Sequence, residues 1–186
     1  MRTKYLEDHL IRHCAPTLAS IKTSNLFCYT FTSMTALVND LSGANTILNR
    51  KGVYAEVLRI CGNSALIFVY RLSNLCEDLN KPGVIDILSD FGYCGSLSDY
   101  VSRLKSRLMC CDEFPHEIGL FLGYPLQDVV GFIENEGRNS KHTGCWKVYS
   151  NEWETIRLFA RFKKCTEIYT RLFSQGRSIE RLTVAA

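Results

Sequence analysis

Two runs rich in β-branched and aromatic residues, joined by a short turn, constrain the fold of this 186-residue chain more than any other feature. The first run covers residues 53–60 and the second covers residues 65–71. The tetrapeptide CGNS at residues 61–64 is typical of a tight turn between antiparallel strands. The pattern therefore predicts a β-hairpin, which we place at the centre of a small sheet.

Helical patterns occur on both sides of this hairpin. Ser33 is a candidate N-cap for a helix with regularly spaced apolar residues, and Ser96 followed by Asp99 resembles a capping box. A long helix is expected to begin after Asn151 and to end before Gly176. Further short helices are expected after three prolines, Pro82, Pro115 and Pro125. The predicted fold class is α+β, with a small, mainly antiparallel sheet covered by several helices and a long C-terminal helix.

The length and composition indicate one globular domain. With 46% apolar and 22% charged residues, the chain has enough apolar side chains to bury a core. We expect a single α+β domain over residues 1–176 and a frayed tail over residues 177–186. Within the domain, Pro16 disfavours helical geometry at the preceding residue, so the first helix is expected to end near Cys14.

The sequence predicts a cytoplasmic protein. No apolar run reaches the roughly 18 to 20 residues that a membrane helix requires, so we expect no membrane association. The first eight residues, MRTKYLED, are too charged for the apolar part of a signal peptide. In this setting, nine cysteines without Cys-x-x-Cys spacing are expected to be reduced thiols and not disulfides.

Metal and cofactor motifs are incomplete. His9 and His13 lie at helical spacing beside Cys14, and His142 precedes Cys145, but neither fragment has a full set of ligands. We therefore assign no metal. The glycine motifs that bind nucleotide phosphates are absent from the sequence, so the cofactor is unknown.

Residues 118–135 imitate a helix-turn-helix, but their composition argues against nucleic-acid binding. The second half, residues 125–136, has one Gln, three acidic residues and no Lys or Arg. A recognition helix needs basic and amide side chains for phosphates and base edges. We expect a packed pair of helices here, and no nucleic-acid partner.

Several motifs resemble those of a known bacterial family. The four motifs are HCAPTLA at residues 13–19, FPHEIGLFLGYP at residues 114–125, GFI at residues 131–133 and WKVY at residues 146–149. On these motifs the chain is similar to the domain of unknown function 3793 family over most of residues 9–173. Ser20 stands where the family usually has a glycine, and Cys145 where it usually has an aromatic residue. The resemblance implies a cytoplasmic bacterial protein and carries no activity or substrate.

Cys14 is the strongest candidate for covalent chemistry. It lies beside His13 at the proline corner, with Lys22 nearby in sequence. A neighbouring His or Lys lowers the pKa of a thiol from its reference value of about 8.5 and makes it nucleophilic. His116 and Glu117 are the candidate catalytic partners, although they are distant in sequence. The alternatives are a buried structural thiol and a histidine that only packs near a helix start.

Tyr70 and Arg71 end the second strand of the hairpin. A charged group directly after a buried apolar run must find water, a carboxylate or an anionic ligand. A structural salt bridge is one outcome. If this strand end converges with Lys22 and His116, the three groups would receive a phosphate or carboxylate. Our leading hypothesis is therefore a small anionic ligand or cofactor bound near Cys14, Lys22, Arg71 and His116.

The positive charge is concentrated at the C-terminal end. The net charge is +3, and the last 36 residues contain seven Lys or Arg and four Asp or Glu. Arg157, Arg161, Lys164 and Arg171 fall on one face of the predicted long helix. A third hypothesis is that this basic face binds an acidic protein partner. The alternative is a solvated helix face with no partner.

Overall fold

The computed structural model describes residues 3–110 and 114–185, which leaves Cys111 outside the described residues. Within these ranges the chain forms nine α-helices and two antiparallel sheets, so the predicted α+β class is confirmed. The helices are α1 (Thr3–Leu18), α2 (Met34–Leu48), α3 (Leu72–Leu79), α4 (Val84–Asp90), α5 (Leu97–Cys110), α6 (Ile118–Phe121), α7 (Leu126–Glu134), α8 (Glu152–Ser174) and α9 (Ile179–Leu182). The strands are β1 (Ser24–Thr30), β2 (Val53–Cys61), β3 (Ser64–Arg71), β4 (His142–Thr143) and β5 (Lys147–Val148).

The chain divides into two compact units. The first comprises Met1–Asn74 and Phe162–Ala186, and the second comprises Leu75–Arg161. The first unit contains the three-stranded sheet with α1, α2 and α9, and the second contains α4 to α7 with the two-stranded sheet. A single domain over residues 1–176 stays a prediction.

The predicted hairpin forms the middle of the three-stranded sheet. The strand order is β1-β3-β2, with both neighbours antiparallel to β3. Cys61 pairs with Ser64, so the turn consists of Gly62 and the residue after it. Gly62 has φ +55°, a left-handed conformation that glycine adopts without steric cost. Because β3 has a partner on each side, its backbone is the most constrained of the sheet.

The core of the first unit lies on one face of this sheet. Alternate residues of a strand point to the same face, and Ala65, Ile67 and Val69 of β3 all enter the same buried cluster. Helices α1, α2 and α9 supply most of the remaining members of this cluster, namely Leu6, Leu10, Ile11, Cys14, Leu18, Leu37, Ala44, Leu48, Ile179 and Leu182. The sheet and these helices therefore stabilise each other by burial of apolar surface.

The first helix continues past the residue where the sequence predicts its end. It contains Pro16 and ends at Leu18, so the expected end near Cys14 is wrong. A proline inside a helix removes one hydrogen bond, but helical bonding resumes beyond it, since the Ala19 amide donates to the Ala15 carbonyl over 2.8 Å. Leu18 is a buried member of the core, and this burial favours the extra turn.

The C-terminal segment is also more structured than predicted. Ser178 caps α9, and Ile179 and Leu182 are buried in the core. These two apolar residues are three positions apart, which places them on one face of the helix. The amide of Val184 then donates to the carbonyl of Leu18 over 2.9 Å. The structure thus differs from the frayed tail that we expected over residues 177–186.

An asparagine on α2 covers part of the edge of the sheet. Among the residues that the structure describes, strand β2 pairs only with β3, so half of its backbone groups need other partners. The Asn45 side chain accepts from the Ala55 amide and donates to the Ala55 carbonyl, both over 2.9 Å. Since Ala55 is buried, water does not readily replace these bonds. Asn45 therefore takes the place of a neighbouring strand at this point.

Removing this side chain should destabilise the first unit. Asn45→Ala leaves an amide and a carbonyl unpaired at a buried residue, at a cost of about 1–3 kcal/mol for each group. Urea unfolding followed by circular dichroism measures the loss. Thr46→Ala, at the next and exposed position, is the matched control and should stay within about 0.5 kcal/mol of wild type. Equal stability of the two variants would contradict the role given to Asn45.

Candidate functional site

Arg71 is fully buried at the end of β3, with 0% of its surface exposed. Its Nε donates to the Thr17 carbonyl over 2.7 Å, and its Nη2 donates to the carbonyls of Leu18 and Val184, each over 2.8 Å. Carbonyls in the last turn of a helix have no partner within the helix and carry the negative end of its dipole. The guanidinium therefore binds the C-terminal end of α1 and the C-terminal segment together.

The remaining nitrogen of this guanidinium is unpaired. The Nη1 atom of Arg71 is buried and has no hydrogen-bond partner in the described part of the chain. No carboxylate forms an ion pair with Arg71 among these residues either. Burial lowers the pKa of Arg71, and the nearby Tyr169 opposes this effect. Buried charges are normally paired with an opposite charge or fully hydrogen-bonded. Arg71 is therefore an unusual buried cation, because one of its nitrogens lacks a hydrogen-bond acceptor in the described part of the chain.

Lys22 and Cys14 lie around the same end of α1. Lys22 is buried, and its Nζ donates to the carbonyl of Ser24 at the start of β1. The Lys22 amide bonds the Pro16 carbonyl over 3.2 Å, which fixes the connection between α1 and β1. The charge of Lys22 also acts on the Cys14 thiol. Three of the predicted site residues, Cys14, Lys22 and Arg71, are therefore grouped at one end of α1.

The environment of Cys14 is the opposite of that of a nucleophilic thiol. The residue is completely buried, and burial raises the pKa of its thiol far more than Lys22 lowers it. A thiol in such surroundings stays protonated and unreactive. The neighbouring His13 is exposed, and its ring stacks on Phe27 at a centroid distance of 5.4 Å. Cys14 is therefore placed as a core residue.

Tyr70 does not join this group. Consecutive residues of a strand point to opposite faces, so Tyr70 lies on the other side of the sheet from Arg71. Its hydroxyl donates to Glu56 over 2.5 Å, and its ring stacks on those of Tyr54 and Phe68. The structure thus separates two neighbours that the sequence predicts to serve one ligand.

His116 and Glu117 belong to the second unit. Glu117 is 1% exposed, forms an ion pair with Arg107 and accepts from the Tyr93 hydroxyl over 2.9 Å. Burial, followed by the charge of Glu117, raises the pKa of Tyr93. The His116 ring packs on Phe132 with the centroids 4.8 Å apart. Within its own unit, Glu117 therefore forms a buried ion pair. That His116 and Glu117 act together with the Cys14 thiol stays a prediction.

The chain was compared with protein families, curated proteins and solved structures. The family model described as "Protein of unknown function (DUF3793)" matches residues 10–183. The chain belongs to the DUF3793 family. No curated protein and no solved structure matches it. Family membership confirms the resemblance seen in the sequence motifs and supplies no activity.

The turn between α1 and β1 requires an unusual backbone conformation at one residue. Ser20 has φ +60°, in the left-handed region that glycine adopts most readily. It lies directly between the end of α1 and Lys22, where the chain must reverse to enter β1. A glycine at this position would therefore make the same turn with less strain.

Two glycines explain why the aromatic motifs of the DUF3793 sequence fit together. A Cβ atom on Gly119, in α6, would lie 2.7 Å from both Trp146 and Val129. A Cβ atom on Gly131, in α7, would lie 2.5 Å from Tyr149. Both distances are far below van der Waals contact, so only glycine admits these aromatic rings. The HEIG, GFI and WKVY motifs are thus parts of one packing arrangement in the second unit.

Four further predictions concern metal binding, membrane spans, cellular location and the basic face of α8. In the described part of the chain, no three His, Cys, Asp or Glu side chains are grouped to hold a metal ion. Across residues 3–110 and 114–185, each helix is too short or too polar to cross a lipid bilayer. A cytoplasmic location stays a prediction. The basic residues of α8, namely Arg157, Arg161, Lys164 and Arg171, are all exposed, and their acidic partner also stays a prediction.

Burial of Cys14 should protect it from alkylation. We expect iodoacetamide to label the exposed Cys28 and Cys61 in the native protein, and Cys14 only when the first unit unfolds. Peptide mass spectrometry after timed labelling measures each rate. Labelling of native Cys14 as fast as that of Cys28 would instead support a reactive thiol.

The same burial predicts a pH dependence of stability. A thiol whose pKa is raised by folding contributes stability that is present below the unfolded pKa of about 8.5 and is lost as the pH rises above it. The free energy of unfolding of wild type should therefore fall more steeply between about pH 8 and pH 10 than that of Cys14→Ala. Parallel pH profiles for the two proteins would contradict the assigned environment.

Proposed function

We propose that the protein binds a small anion, a phosphate or a carboxylate, at the guanidinium of Arg71. The observation that carries this proposal is the unpaired Nη1 of a fully buried arginine that has no carboxylate partner among the described residues. Lys22 supplies a second buried positive charge at the same end of α1. The anion would neutralise charge that the surrounding backbone carbonyls only partly compensate.

The count of hydrogen-bond donors supports this assignment. A guanidinium has five N–H donors, one on Nε and two on each terminal nitrogen. Three of these donors are used by the carbonyls of Thr17, Leu18 and Val184. The two on Nη1 are left, and each can donate one charge-assisted hydrogen bond to an anion oxygen. One or two oxygens of a phosphate or carboxylate would satisfy them.

Access to Nη1 would involve the C-terminal segment. Two hydrogen bonds hold the backbone of Val184 in place. Its amide donates to the Leu18 carbonyl, and its carbonyl accepts from the Arg71 side chain. Val184 itself is 47% exposed, so this part of the segment is in contact with solvent. A small displacement of this segment would open a path to the guanidinium without disturbing the sheet. The bound anion would then replace the Val184 carbonyl as a partner of Arg71.

The alternative is that Arg71 has a purely structural role. The three carbonyl bonds alone would stabilise the end of α1, and the unpaired nitrogen would then be a tolerated cost of about 1–3 kcal/mol. The two readings differ in one respect. A binding site gives a saturable gain in stability when its anion is added, whereas a structural arginine leaves only the general, non-saturating effect of the salt.

Thermal unfolding in the presence of phosphate tests the proposal. At constant ionic strength, replacing chloride by phosphate should raise the Tm of wild type to a plateau, because a ligand at about 100 times its Kd adds about 2.7 kcal/mol. Arg71→Lys keeps the charge but loses the planar fork, so it should lower the starting Tm and abolish the phosphate response. Arg50→Lys, at an exposed position of the same unit, is the matched control and should respond like wild type.

A second variant covers the case in which Arg71→Lys does not fold. Lys22→Met keeps most of the apolar stem and removes the charge, so it should fold and should show a smaller phosphate response. If Lys22→Met and wild type respond equally, or if phosphate leaves the Tm of wild type unchanged, Arg71 is structural and the anion proposal is wrong.

A further inference from the structure

A cavity lies at the end of β1 that is opposite to Arg71. Its volume is about 210 Å³, well above the roughly 10–15 Å³ that one water molecule requires. It is open to solvent on one side and is lined by Tyr5 from α1, by the last residues of β1 and the segment that follows, and by Asp40 from α2. All of these elements belong to the first unit. The cavity is therefore large enough for a small organic ligand.

A buried carboxylate lines this cavity. Asp40 is only 7% exposed, and its Oδ2 accepts a hydrogen bond of 2.8 Å from the Tyr29 hydroxyl. In the described part of the chain, no Lys, Arg or His forms an ion pair with Asp40. A carboxylate has about four acceptor positions, so most of those on Asp40 remain for a ligand. A buried acid without a basic partner favours a cationic ligand.

The other walls of the cavity are aromatic and hydroxylic. Tyr5, Tyr29 and Phe31 contribute rings, and the rings of Tyr5 and Tyr29 are 5.9 Å apart. Aromatic faces attract cations through their quadrupole, most strongly where water is excluded. Thr30 and Thr32 also line the cavity. The cavity thus combines one carboxylate with aromatic faces.

We propose that this cavity binds a small primary ammonium ion, which donates its N–H groups to Asp40 and places its carbon chain against the aromatic rings. A divalent metal ion fits this set less well, because such ions require several carboxylate or carbonyl oxygens and Asp40 is the only acid among the described residues that line the cavity. A neutral ligand of the same shape would leave the buried negative charge of Asp40 without a positive partner. The site is independent of the anion site, since the two share no residue.

Binding of n-butylammonium chloride tests this proposal. Titration calorimetry of the full chain should give saturable binding, whereas n-butanol, which has a similar shape but no charge, should give none. Tetramethylammonium has the charge but no N–H donor, so it should bind at least tenfold more weakly than n-butylammonium. Asp40→Asn keeps the size of the side chain and removes its charge, and it should weaken n-butylammonium binding at least tenfold. Glu167→Gln, an exposed acid of the same unit, is the matched control and should bind like wild type.

Tyr5→Ala keeps the test decisive if Asp40→Asn does not fold. Tyr5 is 58% exposed, so its truncation should leave the fold intact while removing one aromatic wall. We expect it to weaken n-butylammonium binding several-fold. The proposal is overturned if wild type shows no saturable binding up to about 50 mM, where a millimolar site would be nearly filled. It is also overturned if tetramethylammonium or n-butanol binds as tightly, or if Asp40→Asn or Tyr5→Ala binds as tightly as wild type.

Discussion

The buried guanidinium of Arg71 connects three segments that are distant in sequence. Its side chain bonds the last carbonyls of α1 and the carbonyl of Val184, while its own amide donates to Thr23 over 2.9 Å and extends the pairing of β3 beside β1. These acceptors lie near the ends of helices and strands, where regular backbone donors are few. One residue therefore supplies hydrogen-bond donors to the end of α1, to the sheet end and to the C-terminal segment.

Local patterns allowed much of the fold to be predicted. The hairpin and its turn depend on residues next to each other, and so do the helix caps. Ser33 accepts from the Ala36 amide over 3.1 Å, and the predicted capping box is present, since the Ser96 amide donates to Asp99 over 2.7 Å. The extra turn of α1 and the packing of α9 were not predicted, because they depend on tertiary burial of Leu18, Ile179 and Leu182.

The candidate site was predicted only in part. Arg71 is identifiable because a charge at the end of a buried strand must find a partner, but backbone carbonyls leave no signature in the sequence. Burial of Cys14 does have a signal, because Leu10 and Leu18 lie four residues before and after it on the same helix face. Asp40 was missed for a different reason. A single acid on a helix normally faces solvent, and only the packing of α2 beside Tyr29 reveals that this one is buried.

The most direct measurement of the central claim is ¹⁵N NMR of the arginine side chains, with Arg71 assigned by comparison with Arg71→Lys. Our account predicts that the Arg71 Nε–H exchanges slowly with water, because it is buried and bonded to Thr17. It also predicts that phosphate, and not chloride, shifts the Arg71 Nη resonances in a saturable way while the other arginines stay unchanged. Fast exchange of the Arg71 Nε–H would contradict its place in the fold, and Nη resonances that do not respond to phosphate would contradict the anion site.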